Sequence, residues 1–262
     1  MVYTDLDGTM VGPGGSFFRT ESRELTIEPA KALLALHAAG ATLVLVSGRT
    51  RPQLEETARI FGADGYVGEL GAILGWDRGR RHEILRGAMP DQYATSSPMQ
   101  VLRSLGVVED LFARWPGRLD WHSPWHEEHE SNAMLRGRID VAEVDEWLHG
   151  RGLGWLRLRD NGVLPVPDAT HVYHLIPDGL SKGLGVARDL GRRALQREDA
   201  IAIGDSASDL DMAPYVSRMW VVGNGARQPH MADLIAAHDN VEVCADSLGL
   251  GWAEAVRAAL AG

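Results

Sequence analysis

Two carboxylates stand one residue apart in the stretch VYTDLDGTMVG at residues 2–12, where Asp5 and Asp7 precede a Gly-Thr pair. A carboxylate held beside a metal ion can approach an anionic phosphoryl group as a nucleophile. A second carboxylate nearby can protonate the leaving oxygen and later deprotonate the attacking water. The pair therefore predicts phosphoryl transfer, with Asp5 as the nucleophile and Asp7 as the general acid and base.

Two further acids would join this pair to form a metal site. Asp205 and Asp209 lie in the segment GDSASDLDM, far from Asp5 in sequence. Carboxylates brought close together repel one another and attract a divalent cation, and ligation by oxygen alone selects Mg²⁺ over zinc. We expect a Mg²⁺ site at Asp5 and Asp205, with Asp209 beside it.

A phosphoryl group also needs hydrogen-bond donors where its negative charge builds up. The hydroxyl of Ser47, the backbone N–H of Gly8 and the amine of Lys182 could supply them. Ser47-Gly48 could also be an ordinary exit from a strand, and Lys182 a solvated residue in the first turn of a helix capped by Ser181.

The elements that would position these residues alternate between strands and helices. Predicted strands end at Asp5, at Ser47, at Asp205 and at Gly223-Asn224, and a predicted helix over 182–195 begins at Lys182. Ligands bind at the carboxyl ends of the strands in open α/β sheets. The pattern therefore predicts an α/β fold with a doubly wound parallel sheet that brings these residues together.

The middle of the chain has a different composition. Residues 86–176 hold five of the eight tryptophans and six of the ten histidines. One helix is predicted there at 140–149, with strands near 134–139, 155–159 and 171–176. We interpret this segment as an inserted α+β domain, with the catalytic core formed by 1–85 and 177–262.

The segments DLDGTM, VSGRT, LSKG and GDSASDLDM resemble, in this order, the four motifs of the haloacid dehalogenase-like (HAD) phosphatase superfamily. The resemblance implies a Rossmann-like core, a Mg²⁺ cofactor and an aspartyl-phosphate intermediate. It implies roles for the nucleophile Asp5, the acid/base Asp7, the phosphate ligands Gly8, Ser47, Gly48 and Lys182, the metal ligands Asp5, Asp205 and the Asp7 carbonyl, and the supporting residues Thr9 and Asp209.

The inserted segment resembles the type IIB cap of Cof-like sugar phosphatases and of sucrose-phosphate and mannosyl-3-phosphoglycerate phosphatases. GELGAILG resembles the ENGA segment of these families, and VVGNGA their GNA segment. Two residues depart from the family pattern. Ser208 stands where an Asn usually precedes the last motif acid, and Leu70 replaces the Asn of ENGA.

Several residues could contact the substrate. Arg49 could bind substrate or form a salt bridge at the entry to a helix, and Asn224 could bind near the site or shape a turn. In the insertion, aromatic and histidine side chains suit sugar rings and hydroxyls, and the candidates there are Trp121, His122, Trp125 and His126. A zinc site at His122, His126 and His129 is the alternative, but Pro124 would break the helix it needs.

Composition narrows the partners and the location. The formal net charge of −10 disfavours nucleic acid and anionic membranes, since both attract basic surfaces. The single cysteine, Cys244, and the absence of a charged leader predict a cytoplasmic protein. No apolar run approaches the roughly 20 residues of a membrane helix.

The sequence therefore predicts a Mg²⁺-dependent phosphomonoester hydrolase that acts on a small phosphorylated metabolite, such as a sugar or polyol phosphate. A phosphosugar mutase of the same superfamily is one alternative, and a non-catalytic phospho-acceptor or binding protein is another. The oligomeric state stays open.

Overall fold

The computed structural model describes residues 1–164, 166 and 168–261, and these divide into two compact units. The first unit comprises Met1–Arg49, Gln53–Glu83 and Ser181–Gly262, and the second comprises Thr50–Pro52 and Ile84–Leu180. The second unit begins slightly before the predicted insertion at 86–176 and ends slightly after it.

The strands follow one another along the whole described chain. In chain order they are β1 (Val2–Asp5), β2 (Leu43–Val46), β3 (Gly65–Gly68), β4 (Ile73–Trp76), β5 (Arg81–Ile84), β6 (Leu119–Trp121), β7 (Ala133–Gly137), β8 (Leu156–Val163), β9 (His171–Pro177), β10 (Ile201–Gly204), β11 (Arg218–Val221) and β12 (Val241–Val243).

The helices lie between them. In chain order they are α1 (Glu28–Ala38), α2 (Arg51–Phe61), α3 (Pro98–Leu105), α4 (Val107–Arg114), α5 (Val141–Gly150), α6 (Lys182–Arg193), α7 (Ala207–Leu210), α8 (Gly223–Ala226), α9 (Met231–Ala236) and α10 (Leu248–Ala261).

The sheet of the first unit has eight strands in the order β12-β11-β10-β1-β2-β3-β4-β5. Strands β1, β2 and β3 are each buried along their whole length, as expected for short apolar strands covered on both faces. The chain runs from β1 towards β3 on one side and returns through β10 on the other. This reversal of strand order next to β1 creates a crevice at the carboxyl ends of β1 and β10.

The predicted α/β class and doubly wound sheet are confirmed, with one correction. Strand β4 runs antiparallel to β3, not parallel. The connection between them is a short turn at Glu69–Gly71, and only a longer crossover could return the chain parallel.

The second unit contains a four-stranded antiparallel sheet in the order β6-β7-β9-β8, with helices α3, α4 and α5 in the same unit. Its core includes the buried Trp115 and Trp155, with Trp147 packed against them. The sequence interpretation found α5, β7, β8 and β9 but missed α3, α4 and β6. None of the helices in the described part of the chain combines the length and apolar character needed to span a bilayer.

Candidate functional site

Asp5 is the last residue of β1, at the reversal of strand order, and only 4% of its surface is exposed. It pairs with Lys182, the first residue of α6, whose Nζ lies 2.8 Å from Asp5 Oδ1. Ser181 caps this helix, because its side chain accepts a hydrogen bond from the Leu184 N–H. A side-chain cap of this kind fixes where α6 begins and therefore where the amine of Lys182 lies.

The amine of Lys182 also binds Asp209, with 2.6 Å between Nζ and Asp209 Oδ1. The other oxygen of Asp209 accepts hydrogen bonds from the N–H groups of Asp205 and Ser206 and from the Ser206 hydroxyl. Both oxygens of Asp209 are therefore occupied by the protein. The hydroxyl of Ser208, at the position where the family has Asn, bonds the Ser206 hydroxyl at 3.0 Å and so supports this arrangement indirectly.

Asp205 follows β10 and faces the turn after Asp7. Its Oδ1 accepts from the Thr9 hydroxyl at 3.1 Å, and its Oδ2 accepts from the side-chain amide of Asn224 at 3.3 Å. Gly8 is required here, because a Cβ at this residue would lie 2.4 Å from Asp205 Oδ2 and its φ is +93°. Asp5 and Asp205 thus come together although they are far apart in sequence.

Asn224 is held within the fold. Its amide also donates to the Gly8 carbonyl at 2.8 Å, and its Oδ1 accepts from the Leu248 N–H at 2.8 Å. The sequence interpretation offered a substrate contact or a turn for this residue. The structure instead engages its polar atoms with Gly8, Asp205 and the start of α10, an arrangement that could not be read from the local VVGNGA segment.

The electrostatics of the cluster follow from its burial. Burial raises the pKa of Asp5 to about 7 against the opposing effect of Lys182, and burial together with Asp5 and Asp209 raises the pKa of Asp205. Burial lowers the pKa of Lys182, but Asp209 and Asp5 outweigh it and hold that pKa above its usual value. A single ammonium thus faces three carboxylates, and a further cation would relieve the repulsion that remains.

These residues fit a divalent cation. Carboxylate oxygens of Asp5, Asp205 and Asp209 lie within 4.8 Å of one another. Within the described residues, Asp5 Oδ2 is buried with no hydrogen-bond partner. Buried carboxylate oxygens are rarely left so, which leaves this oxygen open to a bound group. The repulsion among the three carboxylates is what favours a cation beside them. Asp209 is the more heavily engaged acid, since one of its oxygens pairs with Lys182 at 2.6 Å and the other accepts three hydrogen bonds. Each oxygen of Asp205 accepts one longer hydrogen bond, at 3.1 and 3.3 Å, so Asp5 and Asp205 are the better ligands, in keeping with the oxygen chemistry of Mg²⁺.

The predicted phosphate donors are only partly available. Ser47 is buried at the end of β2, its Oγ accepts from the Arg49 N–H, and Gly48 follows it beside Leu70. The Gly8 N–H, which the sequence assigns to phosphate, donates instead to the Val11 carbonyl at 3.1 Å because the chain turns back at this point. In the same turn of the described chain, the N–H groups of Leu6 and Asp7 donate to no other residue.

Asp7 is turned towards Arg49. The guanidinium binds both carboxylate oxygens, with 2.7 Å from Nε to Oδ2 and 2.6 Å from Nη2 to Oδ1. The Asp7 side chain is 54% exposed and that of Arg49 29%. Of the two roles considered for Arg49, the structure shows a salt bridge, and its partner is the predicted acid/base.

A second contact ties β1 to α6. The Tyr3 hydroxyl donates to Asp189 Oδ2 at 2.9 Å, and Asp189 also binds Arg192 and Arg193. Tyr3 and Asp189 are both buried. This network joins the strand that carries Asp5 to the helix that carries Lys182.

No protein-family model matches the chain. It is similar to phosphoglycolate phosphatase 1 from Saccharolobus solfataricus, with 24% identity over 228 residues that cover 86% of this chain and 82% of that protein. The sucrose-phosphatase from Synechocystis superposes with a TM-score of 0.66 at 17% identity, covering 98% of this chain and 96% of its own. A HAD subclass IIB sugar phosphatase gives a TM-score of 0.62 at 16% identity, covering 98% and 97%.

The chain has the fold of these HAD proteins. The resemblance predicted from the four motifs is therefore confirmed at the level of the fold. Within this HAD fold, Asp5 and Lys182 occupy adjoining elements and Asp205 faces Asp5 across the reversal of strand order.

One strained turn of the HAD core lies beneath the Ser47 loop. Glu69 and Leu70 both have positive φ, of 48° and 58°, and both are buried. The Leu70 N–H donates to the Ser47 carbonyl, and Gly71 packs so closely that a Cβ there would lie 1.9 Å from the Ser181 carbonyl oxygen. Asn tolerates this left-handed conformation better than Leu does, so the departure from ENGA places a less suited residue in this turn, and nothing in the structure explains it.

The candidates in the second unit differ in accessibility. Trp125 is exposed, His126 stacks on Trp121 with 4.8 Å between ring centroids, and His122 is buried. Trp121 also meets the core residue Phe112 edge-on, so part of its surface serves packing. The zinc alternative finds no support within the described residues, where the only metal-competent group of acids, histidines or cysteines is that of Asp5, Asp205 and Asp209.

Proposed function

We propose that the protein is a Mg²⁺-dependent phosphomonoester hydrolase that forms an aspartyl-phosphate on Asp5. The observation that carries this proposal is the asymmetry of the Asp5 carboxylate. Lys182 holds Oδ1 at 2.8 Å, while Oδ2 has no partner within the described residues and is therefore available for attack. A carboxylate fixed through one oxygen is oriented as a nucleophile through the other.

In the proposed mechanism, each step of the reaction falls to a named residue of this chain. Asp5 Oδ2 attacks phosphorus, the ester P–O bond breaks, and Asp7 gives a proton to the leaving oxygen. Asp7 then takes a proton from water, which attacks the phosphorus of the intermediate and releases phosphate and Asp5. Ser47, Lys182 and the N–H groups of Leu6 and Asp7 offer donors to the phosphoryl oxygens. Asp5, Asp205 and the Asp7 carbonyl would hold Mg²⁺, which when bound would neutralise negative charge at the phosphoryl group.

Arg49 imposes a condition on this sequence of events. It occupies both Asp7 oxygens, so Asp7 must release at least one of them before it can reach the leaving oxygen. Thr9 and Asn224 hold the oxygens of Asp205, and Asp209 holds Lys182. These three are positioning residues, since each acts through another side chain.

The comparisons support a small phosphorylated metabolite as substrate. The proteins similar to this chain are named for phosphoglycolate, sucrose phosphate and sugar phosphates. We include in the proposal a sugar or polyol phosphate, or a compact phosphorylated acid, as the substrate, and no role in nucleic-acid or membrane binding. In the second unit, the candidate substrate contacts are Trp125 and His126, and Trp121 and His122 are further candidates. We also place the protein in the cytoplasm.

Phosphate release tests the proposal directly. With Mg²⁺ present, p-nitrophenyl phosphate and a panel of sugar phosphates, polyol phosphates and phosphorylated acids should release inorganic phosphate, and chelation should stop the reaction. Asp5→Asn should lower turnover by at least about 10³-fold while keeping the fold, because the nucleophile is removed without loss of volume. Formation of an isomeric sugar phosphate without phosphate release would instead identify a mutase, and retention of activity in Asp5→Asn would overturn the mechanism.

A further inference from the structure

A pocket of about 400 Å³ lies in the first unit, within the loop that connects β1 to α1. It is lined by Pro13, Gly14, Arg19 and Arg23. The loop is ordered by its own backbone bonds, since Arg19 pairs with Leu25 as an antiparallel bridge and the Arg23 N–H donates to the Thr20 carbonyl. Two guanidinium groups are therefore presented on a defined framework.

Neither guanidinium is neutralised by the described residues. Arg19 donates through Nη1 to the Arg23 carbonyl at 2.8 Å, and neither arginine forms an ion pair there. The acids that are nearest in sequence are engaged elsewhere, because Glu21 binds Arg227 and Glu24 accepts from the Ser22 hydroxyl. In a chain of net charge −10, two uncompensated arginines beside a pocket make a local site for an anion.

The pocket adjoins the predicted acid/base. Gly15 belongs to the same short turn as Pro13 and Gly14, and a Cβ built on it would lie 3.7 Å from Arg49 Nη2. The same Nη2 binds Asp7 Oδ1. Because Asp7 serves the leaving oxygen in the proposed mechanism, this side of the site is the side on which the leaving group departs.

We propose that Arg19 and Arg23 bind a second anionic group of the substrate, a carboxylate or a second phosphoryl group carried by the leaving group. The inference rests on the proposed function and narrows it to esters that are acidic at both ends. Guanidinium groups bind planar oxyanions through paired hydrogen bonds, and such charge-assisted contacts are stronger than neutral ones. The pocket thereby favours substrates with an anionic leaving group over sugar phosphates, whose leaving group is uncharged.

Binding of non-hydrolysable phosphonates tests the pocket without requiring turnover. Phosphonoacetate carries a carboxylate, methylenediphosphonate carries a second phosphoryl group, and methylphosphonate carries neither. Calorimetry at equal free Mg²⁺ should show at least one of the first two binding about tenfold or more tightly than methylphosphonate, a size typical of one charge-assisted contact. Whichever of these two ligands binds more tightly shows whether the second anionic group is a carboxylate or a phosphoryl group.

The double substitution Arg19→Gln/Arg23→Gln should bring the three affinities to within about threefold of one another. A matched control is Arg59→Gln/Arg218→Gln, which removes the same charge from exposed arginines that pair with Glu56 and Glu242. The control should keep the wild-type preference, and melting temperatures should show that both variants fold.

The outcomes separate the two proposals. Equal binding of all three phosphonates by the wild type, or an unchanged preference in Arg19→Gln/Arg23→Gln, would overturn the pocket. A preference that the double variant loses, in a protein that hydrolyses no phosphate ester with Mg²⁺, would keep the anion pocket and reject the phosphatase. Hydrolysis of phosphate esters by a protein that binds the three phosphonates equally would keep the phosphatase and reject the anion pocket.

Discussion

Arg49 binds both carboxylate oxygens of Asp7, through Nε at 2.7 Å and Nη2 at 2.6 Å. A planar guanidinium that matches both oxygens fixes the orientation of a carboxylate as well as its position. The residue proposed to transfer protons is thus held by a neighbour that stays protonated and transfers none. The pair explains why a salt bridge near the start of α2 bears on the chemistry at the end of β1.

Replacing Arg49 by Lys should separate positioning from charge. An ammonium cannot form the two parallel bonds, so Asp7 should be less well oriented and the turnover of glycerol phosphate should fall about tenfold. Turnover of p-nitrophenyl phosphate should fall less, because p-nitrophenolate leaves without a proton. Asp7→Asn should show the same pattern with a loss of about 10²-fold or more. Equal losses for the two esters in Arg49→Lys would contradict this role, and Arg59→Lys serves as the control.

Mg²⁺ should stabilise the folded protein through Asp205. Binding to the native state alone adds about 2.7 kcal/mol at a hundredfold excess over the dissociation constant, which raises the melting temperature. Asp205→Asn should abolish the Mg²⁺-dependent rise, whereas Asp233→Asn, on the exposed first turn of α9, should retain it. A full rise in Asp205→Asn would place the cation elsewhere.

Asn224 should affect the metal and not only the fold. Its amide restrains Asp205 and the Gly8 carbonyl. Asn224→Ala should therefore weaken Mg²⁺ affinity about tenfold, which is the lower end of the range of losses for residues that orient metal ligands. The matched control is Asn240→Ala, which removes an amide that binds the Ala213 and Val216 carbonyls. That variant should lose stability and keep its Mg²⁺ affinity. Equal Mg²⁺ affinities in the two variants would reduce Asn224 to a structural residue.

The turn at Leu70 should reverse the usual order of Gly and Ala. Its φ of 58° is costly for a residue with a Cβ, so Leu70→Gly should be more stable than Leu70→Ala by about 1 kcal/mol. At Leu54, buried within α2, the order should be opposite, with Gly about 1 kcal/mol worse than Ala. Urea unfolding of the four variants measures both differences. The same order at both positions would show that the turn is not strained.

His122 should make the protein less stable in mild acid. Burial, with the nearby Arg136 and His126, lowers its pKa in the folded state. The unfolded chain then binds more protons than the folded one, so the free energy of unfolding should fall as the pH drops through about 6.5, the value for an unperturbed histidine. His122→Gln should reduce this dependence between pH 7.5 and 5.5, and the exposed His82→Gln should not. An unchanged profile in His122→Gln would exclude His122 as the titrating group.

The sequence anticipated the parts of the site that depend on strand ends. Asp5, Ser47 and Asp205 follow apolar strands, and parallel strands bring their carboxyl ends to one edge. The partners of these residues were harder to foresee. Whether Arg49 meets Asp7, or whether the Gly8 N–H is already taken, depends on how a turn closes, and neither composition nor periodicity reports that geometry.

The second unit also contains elements that the sequence did not predict. Helix α5 begins at a capping Asp140 and was predicted, whereas α3 and α4 are short and meet at Gly106, so the periodicity of each is too brief to recognise. Strand β6 has only three residues and depends on pairing with β7. Short elements that form only by packing against a distant segment have little sequence pattern of their own, so they are hard to predict.

The place of β1 within the sheet affects how the chain must fold as it is made. Val2–Thr4 pair on one side with β2 and on the other with Ile201–Ile203, so one edge of the central strand stays open until β10 has been synthesised. At about 5–20 residues per second that interval is on the order of 10–40 s. An unpaired apolar edge exposed for so long invites pairing with other chains. The nascent protein should therefore depend on chaperones more than its final stability would suggest.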